Sequence, residues 1–204
     1  MEDNTTSLHS QDKYSELIEQ ARQVLDNCSA EEFRSLLEAQ DWDYLRKAFL
    51  TMSASEGSVW IAEHHKQELV MSVNTGPDAA HLELKVRHSL NEGVMAKVFK
   101  EDSIYTDHGM VSDKYLLHKV DDELKQYTHH ISACPLDVLG CRLGVLCAVQ
   151  LVGAHAHAPK EWGFPKNLPE IWYLVQTGFA SIVEDRIIRN VINNAGCLPP
   201  VISK

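Results

Sequence analysis

The sequence predicts an α+β domain: an antiparallel central sheet of five to six strands, with N- and C-terminal helices packed on one face. Three observations carry that prediction. Apolar residues recur at three- and four-residue intervals over the first quarter of the chain and again near its end, which is the period of a helix. Between those stretches the period shortens to that of strands, and short β-rich runs are separated by turn-forming clusters. Finally, 204 residues with 44% apolar and 24% charged side chains suit one generous domain with a substantial core.

The elements follow in order. Residues 1–12 are polar and are expected to be a flexible N-terminus. Tyr14, Leu17, Ile18, Ala21, Val24 and Leu25 place one apolar stripe on a first helix. Ser29 followed by Glu32 is a capping-box pattern that opens a second helix carrying Phe33, Leu36 and Leu37. Asp41 is expected to cap a third, in which Trp42, Leu45, Phe49 and Met52 share a face. Gly57 to Ile61 and Leu69 to Val73 then read as a hairpin around the polar turn His64-His65-Lys66-Gln67.

Asn74-Thr75-Gly76-Pro77-Asp78 is a dense turn signal. A third strand is expected over Leu82 to His88, with Leu82, Leu84 and Val86 on one side and Glu83, Lys85 and Arg87 on the other. Asn91-Glu92-Gly93 introduces a short helix through Val94, Ala96, Val98 and Phe99. Glu101 to Lys119 reads as a long loop with a strand near Ile104, and Asp121 to Tyr127 as a brief helix. Two strands follow, His130 to Leu136 and Arg142 to Val152, joined by a turn at Leu139-Gly140.

Gly153 to Asn167 is loop, rich in Ala, His and Pro, and looks like linker around Pro159. Pro169 opens a long closing helix that runs to about Asn193, and residues 194–204 form a tail. On that helix Ile171, Leu174, Val175, Gly178 and Ile182 form one stripe, while Trp172, Phe179 and Ile187 broaden it beyond a single face. Such a helix is buried on more than one side. One side packs on the sheet; the other is expected to meet the N-terminal helix, a symmetry mate, or both. Gly178 would let a neighbouring backbone come close, so a two-fold homodimer through the terminal helices is expected.

Composition excludes several function classes. The formal charge of −10, with Arg186 and Arg189 flanked by Glu184 and Asp185, argues against a nucleic-acid partner, which needs clustered cations. Five cysteines without a CxxC pair read as reduced thiols. The acidic start is not expected to act as a secretory leader, and no apolar run approaches the roughly 18 residues of a membrane span. The expected compartment is the cytoplasm.

Four segments in sequence resemble the GAF domain family, over roughly Asp41 to Arg189. Ala54-Ser55-Glu56-Gly57-Ser58-Val59-Trp60-Ile61 is similar to that family's first strand. Leu90 to Val98 resembles its glycine-led helix on the ligand-facing side, and Val120-Asp121 its acidic spot before the fourth strand. Ala133-Cys134-Pro135-Leu136, with Leu143 to Gln150, looks like its closing hairpin. The resemblance implies a single GAF-like domain over 13–193, its core about 41–189, extended by N-terminal helices. It also implies a binding site for a small molecule such as a cyclic nucleotide, bilin, haem or amino acid. The cyclic-nucleotide signature of asparagine, lysine, aspartate and phenylalanine is absent, and Glu101 to Lys119 contains no cysteine for bilin attachment.

Candidate ligand contacts follow from that placement. Tyr105, Asp107, His108 and His118 fall in the long loop, where they could hold a polar molecule by directed hydrogen bonds or could be ordinary exposed residues. Gly93 and Val94 open a helix whose free N–H groups could meet an anion, as any helix start could. Trp60, Met71 and Met95 could line an apolar wall or be plain core. Cys134, Cys141 and Cys147 invite comparison with the family's free methionine sulfoxide reductases. Cys134 and Cys147 sit in expected strands, where thiols are usually inert, and the reductase branch carries its cysteines mainly in the loop. His129-His130 and His155-Ala156-His157 lack acidic or thiol partners nearby in sequence and read as surface rather than metal ligands.

The expected function is therefore a non-catalytic sensory module that binds an unidentified small molecule, with no other cofactor. With no kinase, cyclase or DNA-binding segment in the sequence, its output is expected to pass through a signalling partner protein. The alternatives are a dimerisation adaptor with a degenerate pocket and, third, a thiol reductase.

Overall fold

The computed structural model describes residues 4–107, 125–153 and 159–195, with side chains described from Lys13. Three helices lead: α1 (Asn4–Asp26), α2 (Ala30–Leu36) and α3 (Ala39–Thr51). Helical backbone thus begins at Asn4, inside the polar segment that precedes Tyr14. The capping box at Ser29 is formed: its hydroxyl accepts from the Glu32 N–H, and the Glu32 carboxylate accepts from the Ser29 N–H. Asp41 does not cap α3. The helix starts earlier, after Glu38, and Asp41 reaches back from its first turn to accept the Glu38 N–H. Its buried carboxylate also takes the Arg186 guanidinium at 3.0 Å, so the charge serves a long-range ion pair.

The sheet has six antiparallel strands in the order β3-β2-β1-β6-β5-β4. β1 (Glu56–Glu63) and β2 (Glu68–Asn74) form the expected hairpin across a short 3-10 turn, His64–Lys66. The strand expected at Leu82 to His88 is not one. Leu82 ends a one-turn helix, α4 (Ala79–Leu82), and only Arg87–Ser89 pairs with β2, as β3. Leu84 lies between them at φ 62°, where its N–H reaches the Met71 carbonyl at 2.7 Å. That left-handed residue breaks the alternation: Leu82 and Val86 face one core and Leu84 the other.

Helix α5 (Gly93–Glu101) and β4 (Tyr105–Asp107) follow. Of the helix expected over Asp121 to Tyr127, residues 121–124 lie outside the described ones, and Gln126 and Tyr127 belong to β5 (Gln126–Val138). β5 turns at Leu139-Gly140 into β6 (Cys141–Gly153), and α6 (Leu168–Ala195) closes the chain. No helix among the described residues is long and apolar enough to cross a membrane.

One face of the sheet is covered by all the terminal helices. Phe33, Leu45, Phe49 and Met52 from α2, α3 and the end of α3 meet Trp172, Phe179, Val183 and Ile187 from α6 over Val59, Ile61 and Leu146. The buried stripe of α6 is Leu168, Trp172, Val175, Phe179, Val183, Ile187 and Val191. It is rotated from the expected one: Leu174 is 67% exposed, and Gly178 faces the Tyr44 hydroxyl of α3, leaving it filled from within the chain. The fully buried Trp172 donates its indole N–H to Ser132 at 2.8 Å. Gln150, also fully buried, points from β6 toward the segment after residue 159. Its amide nitrogen reaches the carbonyls of Ser53, Glu161 and Gly163, and its oxygen accepts the Gly163 N–H.

Candidate functional site

The opposite face of the sheet carries a second, separate apolar cluster beneath α5. Strand alternation sends Trp60 and Ala62 of β1, Leu69 and Met71 of β2, Val145 and Cys147 of β6, and Ala133 of β5 to this side. Helix α5 lowers Val94, Met95 and Val98 onto them, and Leu82, Val86 and Leu90 close one end. Tyr105, half-buried in β4, packs at the other end opposite Ala133.

Polar groups are few and specific. The Trp60 indole N–H donates to the Ser58 hydroxyl at 2.8 Å, and the His88 ring lies 5.0 Å from the Trp60 ring at 45°. Burial holds the His88 imidazole below its ordinary pKa of 6.5, so the ring is neutral at pH 7. Burial pushes the Cys147 thiol up to about 12, against a smaller opposing effect of the Ser58 hydroxyl.

The two ends of α5 differ. At its start Gly93 sits at φ 87° with open space where a side chain would be, and Glu92 makes no side-chain capping bond. At its end Arg142 of β6 donates to the Phe99 carbonyl at 2.6 Å and to the carboxylates of Asp102 and Asp137. Asp102, at φ 52°, terminates the helix.

Of the expected contacts, the structure brings Trp60, Met71, Val94 and Tyr105 to one cluster, with Met95. Gly93 opens α5 next to Val94, with open space at its Cβ position. Asp107 pairs with Ile131 two residues beyond Tyr105, on the same side of β4 by alternation. His108 and His118 lie outside the described residues, as do His155 and His157. Ser58, His88 and Arg142 escaped the sequence reading. Only Arg142 left a signal there, as a lone cation facing Asp137 across the Leu139-Gly140 turn.

Cys134 and Cys147 do not form a redox pair. Cys147 pairs with Ala133 while Cys134 pairs with Leu146, so the two cysteines project to opposite faces of the sheet. A disulfide needs Cβ atoms about 4 Å apart and facing each other. Burial also drives the Cys134 thiol far above its ordinary range. Among the described residues no three His, Cys, Asp or Glu side chains gather as a metal site. His129 instead packs on His130 and Trp162.

No protein-family model matches the chain, and no curated protein matches it. Solved structures do. The GAF domain of a phosphoenolpyruvate-protein phosphotransferase from Coxiella burnetii superposes with a TM-score of 0.54 at 15% identity, covering 90% of this chain and 96% of that one. The GAF domain of a two-component sensor histidine kinase from Bacillus halodurans gives 0.53 at 11% identity, over 78% of this chain and 98% of that one. Free methionine-R-sulfoxide reductase from Neisseria meningitidis, solved in complex with its substrate, gives 0.50 at 17% identity, over 89% and 91%.

Proposed function

The chain has the GAF fold, and on that premise we propose that it is a non-catalytic regulatory module that binds a small molecule on the α5 face. The observation that supports this most is the second apolar cluster, built from five strands and held apart from the helix-covered core. Among the described residues, that face is covered by the nine-residue α5 with Leu82, Val86 and Leu90 at one end, whereas the other face is packed under α1, α2, α3 and α6. Trp60, Met71, Val94 and Tyr105 supply the apolar wall, with Gly93 and Asp107 beside it; His108 and His118, outside the described residues, remain proposed ligand contacts. Output passes through the terminal helices to a signalling partner in the cytoplasm, from a homodimer. The exposed Tyr173 and Leu174 of α6 are the surface such an assembly would cover.

Native mass spectrometry of the protein purified from its own cell tests the binding reading. A bound small molecule lost on Trp60→Ala supports it; a bare chain mass refutes it. Light scattering that gives a 23.0 kDa particle at micromolar concentration removes the homodimer.

One observation favours a second reading, an adaptor whose pocket is filled. Trp60, Met71, Val94 and Met95 are each no more than 5% exposed. In that case the native mass is bare and α5-face substitutions alter stability alone. The reductase reading has the fold likeness behind it, but the opposed thiols count against it. Sulfoxide reduction surviving Cys134→Ser with Cys147→Ser would exclude these cysteines from it.

A further inference from the structure

The end of the β5–β6 hairpin is bonded to elements on both faces of the sheet. On the α5 side, the Arg142 fork spans the Phe99 carbonyl, Asp102 and Asp137, joining the C-terminal end of α5 to both strands of the hairpin. On the helix side, both backbone groups of Leu139 are taken. Its N–H donates to Glu184 of α6 at 3.0 Å, and its carbonyl accepts from Arg22 of α1 at 2.9 Å. Leu139 and Gly140 lie at φ 52° and 77°, a tight two-residue turn that leaves little slack between Asp137 and Leu139. Among the described residues no hydrogen bond or ion pair joins α5 to α1 or α6 directly, so the hairpin end is the polar link between them.

We propose that this hairpin end is a mechanical relay, in which Arg142 transmits displacement of α5 through the Leu139 turn to α1 and α6. The proposal rests on reading the α5 face as the ligand face, since only then does α5 receive a signal worth passing. The bonds involved are charge-assisted and hold their geometry more firmly than neutral ones. A ligand that shifts the end of α5 must either break the Arg142 fork or carry Asp137 with it. Asp137 carries the rigid turn, and the turn carries the two charged side chains of the terminal helices. Arg142 is thus a positioning residue and touches no ligand.

Hydrogen exchange by mass spectrometry and NMR on the full chain, without any ligand, tests it. Asp102→Asn weakens the fork from the exposed α5 side, where folding is not at stake. Arg142→Lys keeps the charge but cannot span three acceptors. In both variants the Leu139 amide and the α6 amides around Glu184 are expected to exchange roughly 2- to 30-fold faster. The Thr75 amide, bonded to the Gly57 carbonyl at the far end of the β1–β2 hairpin, stays at the parent rate. Unchanged Leu139 and α6 amides in both variants overturn the relay, and so does uniform acceleration that includes the Thr75 amide. Because no ligand is used, failure here leaves the binding reading standing, while a bare native mass removes the input to the relay without changing the coupling measured between α5 and α6.

Discussion

Gly178→Ala should destabilise the protein only while Tyr44 keeps its hydroxyl. A Cβ at Gly178 would run into that hydroxyl, which donates to the Val175 carbonyl at 3.2 Å and approaches the Leu174 carbonyl at 3.4 Å. The Tyr44 ring also stacks parallel to Phe179, with centroids 6.5 Å apart. Displacing it forfeits about 1 kcal/mol of hydrogen bonding and costs roughly 1–3 kcal/mol of overpacking. Alanine returns about 1 kcal/mol of helix propensity, so Gly178→Ala should lose roughly 1–3 kcal/mol net. Tyr44→Phe alone should lose about 1 kcal/mol. It leaves the nearest ring carbon 3.1 Å from the new methyl, a tight contact that a small shift relieves. In that background Gly178→Ala should therefore be close to neutral, a coupling of about 1–3 kcal/mol between the pair. Urea unfolding followed by circular dichroism measures all four corners of the cycle, at two protein concentrations. Additivity within about 0.5 kcal/mol would falsify the packing argument. A concentration-dependent effect of Gly178→Ala would instead return Gly178 to a subunit interface.

Three further outcomes follow from the same geometry. Gly144→Ala should cost more than about 3 kcal/mol, because its Cβ meets the Trp60 carbonyl, backbone that no rotamer change can move; a soluble variant with parental urea midpoint would contradict this. His88, held below pKa 6.5 by burial, takes up its proton in the unfolded chain first as pH falls. Stability should therefore drop below about pH 6.5, and His88→Phe should flatten that drop; an unchanged slope would show that burial of His88 is not its source. Cys147 keeps its proton to about 12 when folded and releases it near 9.0 when unfolded, so stability should fall as pH rises through that window. Cys147→Ala should remove one proton's worth of the slope, and iodoacetamide at neutral pH should label the half-buried Cys141 before Cys147 or Cys134.

Local signals were readable where they decide structure locally. The Ser29-Glu32 capping box, the His64–Gln67 turn and the Leu139-Gly140 turn each occupy a few consecutive residues and appear where the sequence places them. The failures share a cause. Leu82 to His88 alternates on paper, but the positive φ of Leu84 depends on the Met71 carbonyl, a partner in another strand. Asp41 resembles a cap, but its buried position is set by Arg186 at the far end of the chain. The apolar residues of α6 promise burial on more than one side, but the structure buries one main stripe and leaves Tyr173 and Leu174 exposed, its orientation set by Tyr44 and Phe33. For the site, Trp60, Met71 and Val94 were legible because apolar residues in strands and helix starts announce themselves. Ser58 and His88 were not, because their roles arise only once register sets them against Trp60.

Gln150 bears on how this protein would evolve and be engineered. By composition the stretch around Pro159 reads as a connector, the kind of segment where foreign sequence is inserted or the chain is cut. The buried amide makes it otherwise, because it fastens Glu161 and Gly163 to the same carboxamide that holds Ser53 at the end of α3. An insertion between Pro159 and Gly163 would leave a carboxamide unsatisfied in the interior, with a penalty typical of a core substitution. A graft for labelling or circular permutation is better tolerated at His64–Lys66, an exposed hairpin tip whose side chains reach only the Phe99 ring and the Glu63 carboxylate. Insertion tolerance in this fold is thus set by a single side chain in a neighbouring strand, where composition gives no warning of it.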